Sequence, residues 1–244
     1  MAKKVAIIAD AGINPKGNPF KAHLMIDLIK DIGADTVKFQ TVNADIVYRK
    51  EDPLYKIFKE AEFSPSVWKE LKHHADSVGI EFLSTPGDKE SVDLLNELGV
   101  KRFKVASDSF SNIDFVNYII SKGKPILVST GMARGIGEIC GVVDKYNCPP
   151  AVLFHCVSKY PPEPGELELR RIRLLRDFFT KDTAIGYSDH MPWIESALAG
   201  VVKGARVIEK HFKISDDEID APVSLNSTDF TKMVESIRRL EQIL

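Results

Sequence analysis

The sequence predicts a (β/α)8 TIM barrel folded as a single domain over residues 1–244. Three observations carry that expectation. Short β-branched runs alternate with amphipathic stretches from one end of the chain to the other. Eight such units fill a chain of 244 residues, the usual size of this barrel, with no segment left over. No Gly/Ser-rich linker or charge run divides the chain. An open doubly wound sheet is the alternative, because over any few units it reads the same way.

The first strand is expected at residues 5–9, an apolar run that stops at Asp10. The others follow at residues 36–39, 81–83, 102–106, 125–128, 151–155, 183–187 and 206–208. Each leads into a helical stretch. Ser64-Pro65 marks one helix start, a capping hydroxyl followed by proline at the first helical position. Gly33, Gly79, Gly99 and Gly123 fall where helices would end in a left-handed cap. The last helix places Phe230, Met233, Val234, Ile237, Leu240 and Leu244 on one stripe. The long connection over residues 41–63 carries Tyr48, Tyr55 and Phe58 and is expected to form an ordered lid.

Composition excludes several classes. Hydrophobic residues are 44% and charged residues 28%, ordinary values for a globular chain. Thirty-three basic and 35 acidic residues give a net charge of −2, which excludes a broad polybasic surface for nucleic acid or anionic lipid. Cys140, Cys148 and Cys156 have no metal-ligand spacing and point to a reducing compartment. No apolar run approaches the ~20 residues of a membrane span. The opening Met-Ala-Lys-Lys leads into a strand rather than a signal peptide, so a cytoplasmic protein is expected.

In a barrel the chemistry gathers at the carboxyl ends of the strands. Alternation then assigns the inward side chains. In TVKFQT, Lys38 and Gln40 face inward, and in RFKVAS, Lys104 does. In VLFHC, Val152 and Phe154 are expected to face outward and His155 inward. The same parity turns Asp10, Ser129, Ser188, His190, Glu209 and His211 inward and Lys210 outward. Apolar strands ending in inward charges are costly unless something binds there. Lys38 and Lys104, with hydroxyls from Ser84, Thr85, Ser107 and Ser129, suggest an anion pocket. His190 and His211 end consecutive strands, close enough to share one cation, or else to bond to Asp189 and Glu209. His23, His73 and His74 read as solvated helix residues, and Cys156 as an inert buried thiol. The glycine-rich turn over residues 129–138 is a weak phosphate-cradle signal.

The segments ADAGINPKG, GADTVKFQT, FLSTPGD, RFKVAS, PILVSTGMA, LFHCVSKYP, IGYSDH and VIEKHF, together with Asp220 and Ser224, resemble the sialic acid synthase family over nearly the whole chain. That family condenses phosphoenolpyruvate with N-acetylmannosamine or a related aminosugar. The resemblance implies that Lys38, Thr85, Lys104, Ser107, Ser129 and Ser188 hold phosphoenolpyruvate, with Gln40 and Asp220 also binding substrate. It implies that Ser158 and Tyr160 contact the sugar. His190 and His211 would hold a divalent ion, Mn2+ or Mg2+, acting as a Lewis acid on the sugar's aldehyde.

Three departures stand out. Asp10 replaces the family's usual glutamate, Pro15 replaces a histidine after Asn14, and Asp108 then Ser109 displace an acid expected one position later. Asp10 and Asp108 are therefore the candidate catalytic acids. The family's small carboxyl-terminal, antifreeze-like domain is expected to be absent here, and the expected protein partner is either a second copy of this chain or a separately encoded carboxyl-terminal domain. A Schiff-base aldolase using Lys38 or Lys104 is one alternative. A ligand-binding relative that has lost turnover is the other.

Overall fold

The computed structural model describes residues 4–179 and 182–244. Residues 1–3, the opening read above as leading into the first strand, lie outside the described residues. Eight parallel strands form the sheet: β1 (Ala6–Gly12), β2 (Thr36–Thr41), β3 (Glu81–Pro86), β4 (Phe103–Val105), β5 (Ile126–Ser129), β6 (Val152–His155), β7 (Ala184–Asp189) and β8 (Val207–His211). Their order is β3-β2-β1-β8-β7-β6-β5-β4, and β3 lies against β4 at the seam. First and last strands are thus hydrogen-bonded neighbours, which an open doubly wound sheet does not permit. The (β/α)8 barrel is the fold.

Helices cover the outside: α1 (Pro19–Ile32), α2 (Ala44–Val47), α3 (Pro53–Ala61), α4 (Pro65–Val78), α5 (Lys89–Glu97) and α6 (Ile113–Ile120). They continue with α7 (Ile136–Val143), α8 (Arg170–Phe178), α9 (Glu195–Val202) and α10 (Ser227–Leu240). The caps follow the local sequence. Ser64 accepts from the Val67 amide at the start of α4, and Gly33 and Gly79 end α1 and α4 at φ of 85° and 74°. In α10, Phe230, Met233, Val234 and Ile237 are buried as the stripe requires. Leu244 departs from it: the helix ends at Leu240, and Leu244 is exposed beyond it.

Two apolar layers flank the strands. Outward residues such as Val37, Phe39, Phe103, Val128, Leu153 and Ile208 pack under the helices. Inward, Ile8, Leu83, Leu127, Val152, Phe154 and Val207 form a plug. Below it, Arg102 Nε meets Glu81 Oε1 at 2.6 Å and closes the amino-terminal end. Above it most inward positions are polar or charged.

One parity expectation is overturned. Val152 and Phe154 point inward, and His155 points outward, where it stacks on Tyr187 at 5.8 Å and bonds Leu167 O at 2.7 Å. The register explains it: Val152 pairs with Leu127 and Phe154 with Ser129, and lateral neighbours share a face. Gly186 makes the room, since a Cβ there would sit 2.5 Å from the Phe154 ring. His74 is corrected too. It is half-buried, bonds Asp27 Oδ1 at 2.6 Å and packs edge-on against His23.

Candidate active site

Register brings the strand ends together. Asp10 pairs laterally with Lys38 on one side and His211 on the other, and Ser188 with Glu209. Side chains from distant segments therefore meet at the mouth. A cavity of ≈ 390 Å³ opens there. Its lining includes all fourteen expected site residues: Asp10, Lys38, Gln40, Thr85, Lys104, Ser107, Asp108, Ser129, Ser158, Tyr160, Ser188, His190, His211 and Asp220.

The floor is an alternating set of buried charges. Lys38 Nζ is 2.7 Å from Asp10 Oδ2 and 3.3 Å from Glu209 Oε2. Burial alone would discharge Lys38, but the two carboxylates outweigh it and hold the ammonium above its ordinary range. Lys104 is different. It donates to Ser129 Oγ at 2.5 Å and Val105 O at 3.3 Å, and its nearest carboxylate, Glu209 Oε1, is 3.7 Å away. Burial dominates there and lowers its pKa. Glu209 resists its own desolvation because Lys104 and Lys38 flank it, and it stays below the usual carboxylate range. Ser188 Oγ donates to Glu209 Oε1 at 2.9 Å.

The 129–138 turn contributes close backbone approach. The Gly131 amide donates to Ser107 Oγ at 3.0 Å. A Cβ on Gly131 would lie 2.5 Å from Ser158 Oγ and 2.6 Å from Cys156 Sγ, so only glycine lets these groups converge. Burial pushes the Cys156 thiol up, which keeps it protonated.

On the opposite side sit the imidazoles. Their ring centroids are 5.5 Å apart. Neither bonds to Asp189 or Glu209. His190 Nδ1 donates to Val157 O at 2.7 Å, and burial, with His211 beside it, pushes its pKa down to about 3. The ring is neutral, with Nε2 uncommitted. His211 lies with Nε2 3.6 Å from Asp10 Oδ2 and Nδ1 3.5 Å from Asp220 Oδ2, and Nδ1 is buried without a hydrogen bond. Tyr160 stacks on His190 at 4.1 Å. Asn14 fixes Asp220 by accepting its amide at 2.8 Å, while burial raises the Asp220 carboxyl.

The lining also holds residues to which sequence reasoning gave no role. Glu209 was legible as inward from parity, but nothing in a single strand showed that it bridges two lysines. Leu54, Ile57 and Met132 line the mouth with the expected lid aromatics Tyr48 and Phe58. Tyr48 stacks on Phe58 at 5.0 Å, and burial, reinforced by nearby Asp108, pushes its pKa up to about 12. Tyr55 faces away and bonds Asp45. Asp108 is exposed at the rim, bonded to Ser109 Oγ at 2.9 Å.

Comparison with known proteins converges on the same family. The NeuB family model matches residues 25–244. This chain belongs to the NeuB family. Its relatives include the N,N'-diacetyllegionaminic acid synthase of Campylobacter jejuni, 36% identical over 99% of this chain and 78% of that protein. Another is the human N-acetylneuraminate-9-phosphate synthase, 32% identical over 98% of this chain and 70% of that protein. Among solved structures, the N-acetylneuraminic acid (sialic acid) synthetase of Leptospira borgpetersenii, in complex with citrate, superposes with a TM-score of 0.94 at 32% identity, covering 99% of this chain and 85% of that one. NeuB relatives of known activity are thus sugar-acid synthases. Among the described residues no helix is long and apolar enough to cross a membrane.

Proposed function

We propose that this NeuB chain condenses phosphoenolpyruvate with an aminosugar aldehyde to give a sialic-acid-like 2-keto sugar acid. In that reaction C3 of phosphoenolpyruvate bonds to the aldehyde carbon, water adds at C2, and inorganic phosphate leaves. The observation that carries the reading is Lys104. It is a buried ammonium whose nearest carboxylate, 3.7 Å away, is already shared with Lys38, in a cavity rimmed by hydroxyls. Such a group calls for a bound anion.

Lys104 and Ser129 supply fixed donors for phosphate or carboxylate oxygens, with Thr85, Ser107 and Ser188 completing the ring. Asp10 holds Lys38 and receives the Gly12 amide at 2.9 Å, so its carboxylate is oriented rather than free to swing. Gln40, Ser158, Tyr160 and Asp220 lie where the acceptor would be gripped. Asp108, exposed beside Tyr48, is the candidate for moving a proton on the sugar.

A divalent ion, Mn2+ or Mg2+, fits the donor set at His190 and His211. Both rings offer an uncommitted nitrogen, and among the described residues no group of three or more His, Cys, Asp or Glu is placed to hold a metal ion, so the protein would supply these two ligands. Two protein ligands leave coordination positions open for substrate, as catalytic sites require. When bound, the ion supplies Lewis-acid polarisation of the aldehyde carbonyl.

The test is phosphate release from phosphoenolpyruvate with a panel of aldoses and several divalent metals. Release that needs both aldose and metal supports the reading. Binding without release across the panel would favour a relative that has lost turnover. The lowered pKa of Lys104 favours a Schiff-base aldolase as the second reading, whereas Lys38 is held charged and does not qualify. Borohydride trapping with pyruvate would label Lys104 only in that case.

A further inference from the structure

We propose, resting on the reading above that Asp220 grips the acceptor, that Lys21 and Glu218 are positioning residues, a buried ion pair outside the cavity that holds Asp220 inside it. Asp220 belongs to residues 212–226, the connection between β8 and α10. That connection is seated on the one that follows β1. Asn14 donates to Phe212 O at 2.9 Å and accepts the Asp220 amide at 2.8 Å. Lys16 Nζ donates to Asp217 O at 2.6 Å. Lys21, in the first turn of α1, completes the clamp, with Nζ 2.8 Å from Glu218 Oε1.

The Glu218 side chain is fully buried, yet neither it nor Lys21 lines the cavity, whereas the next two residues, Ile219 and Asp220, do. Glu218 is thus turned away from the site onto α1, where it also accepts the Ile214 amide at 3.3 Å. A buried carboxylate that loses its cation is driven toward water. Two peptide units separate Glu218 from Asp220, so such a swing carries Asp220 with it. The seat of Asp220 has little slack. A Cβ on Gly12, which sits at φ of 52°, would lie 2.9 Å from Asp220 Oδ2, and His211 Nδ1 is 3.5 Å from the same oxygen. The anion half of the pocket is built elsewhere, from Lys104 on β4 bonded to Ser129 on β5 at 2.5 Å.

Hydrogen exchange and steady-state phosphate release test this together, with manganese as the metal and N-acetylmannosamine as the acceptor. In Lys21→Met, exchange should rise over residues 213–226 and stay unchanged over β4, β5 and β6. The same variant should lower kcat/KM for the sugar by about tenfold to a hundredfold and leave the half-saturating phosphoenolpyruvate concentration unchanged. Glu218→Gln, which keeps the shape and drops the charge, should follow it, and Lys21→Arg, which keeps the charge, should retain most of the activity. Because Lys21 acts through Asp220, adding Lys21→Met to Asp220→Asn should cost nothing beyond Asp220→Asn alone. Independent losses in that double variant, equal losses toward both substrates, or unchanged exchange over residues 213–226 would overturn the positioning role while leaving the synthase reading standing. No release by the unaltered chain with any aldose of the panel would overturn the synthase reading itself, and the role of the pair in acceptor binding with it.

Discussion

Lys210 Nζ lies 2.7 Å from Asp189 Oδ2, on the helix side of the barrel, and neither side chain reaches solvent. Between them they organise the loop that follows β7. Lys210 also donates to the carbonyls of Met191 and Trp193, while Asp189 accepts from the Met191 amide at 3.1 Å and Ser196 Oγ at 2.6 Å. Asp189 precedes His190 and Lys210 precedes His211, so one buried ion pair braces the backbone behind both imidazoles.

Breaking this pair by one partner strands a buried charge. Asp189→Asn and Lys210→Met should each cost about 3–5 kcal/mol of stability, and the double variant less than the sum. Urea denaturation of the four proteins in the cycle measures the coupling. Additive costs would mean that the pair carries no interaction of its own.

His190→Ala and His211→Ala should each abolish metal-dependent activity with little change in the thermal transition. Calorimetric titration with manganese should lose its signal in both, and chelation of the unaltered protein should give the same loss of turnover. Retained activity with bound metal in either variant would remove these imidazoles from the ligand set.

Lys104→Met removes the buried ammonium that lacks a close counter-charge. The expected result is a higher half-saturating phosphoenolpyruvate concentration, or no turnover, with manganese affinity nearly intact. Kinetics and metal titration on the same preparation separate the two. A parallel loss of metal binding would show that the anion and metal halves are not independent.

His155 sets a pH dependence. Burial lowers its pKa in the folded chain, so the unfolded chain takes up the proton first as pH falls. Stability is then lost below the ordinary histidine pKa of about 6.5, by at most about 1.4 kcal/mol per pH unit, until the depressed folded value is reached. Above that range the residue is neutral in both states and contributes no slope. Thermal melts between pH 5 and pH 7 should therefore show a shallower decline for His155→Gln than for the unaltered protein. Parallel declines would mean that His155 takes up its proton equally well in both states.

Sequence periodicity determined the order of elements along the chain, the helix caps and the phase of six strands. For β3 it offered both Ser84 and Thr85 to the pocket, and only Thr85 lines it. Alternation is a local property, and lysine or aspartate at a strand end announces its face. The phase of β6 was not local. Phe154 could have faced either way, and its inward setting was decided by its pairing with Ser129 and by the space left at Gly186. The candidate residues were likewise individually legible, because each is a polar group ending an apolar run. What only tertiary structure decided was their partnership: which carboxylate neutralises Lys38, why Lys104 is left wanting an anion, and which face of α3 looks into the cavity. Those outcomes depend on distances between strands far apart in the chain. Closure of the barrel sets such distances, and local patterning does not encode them.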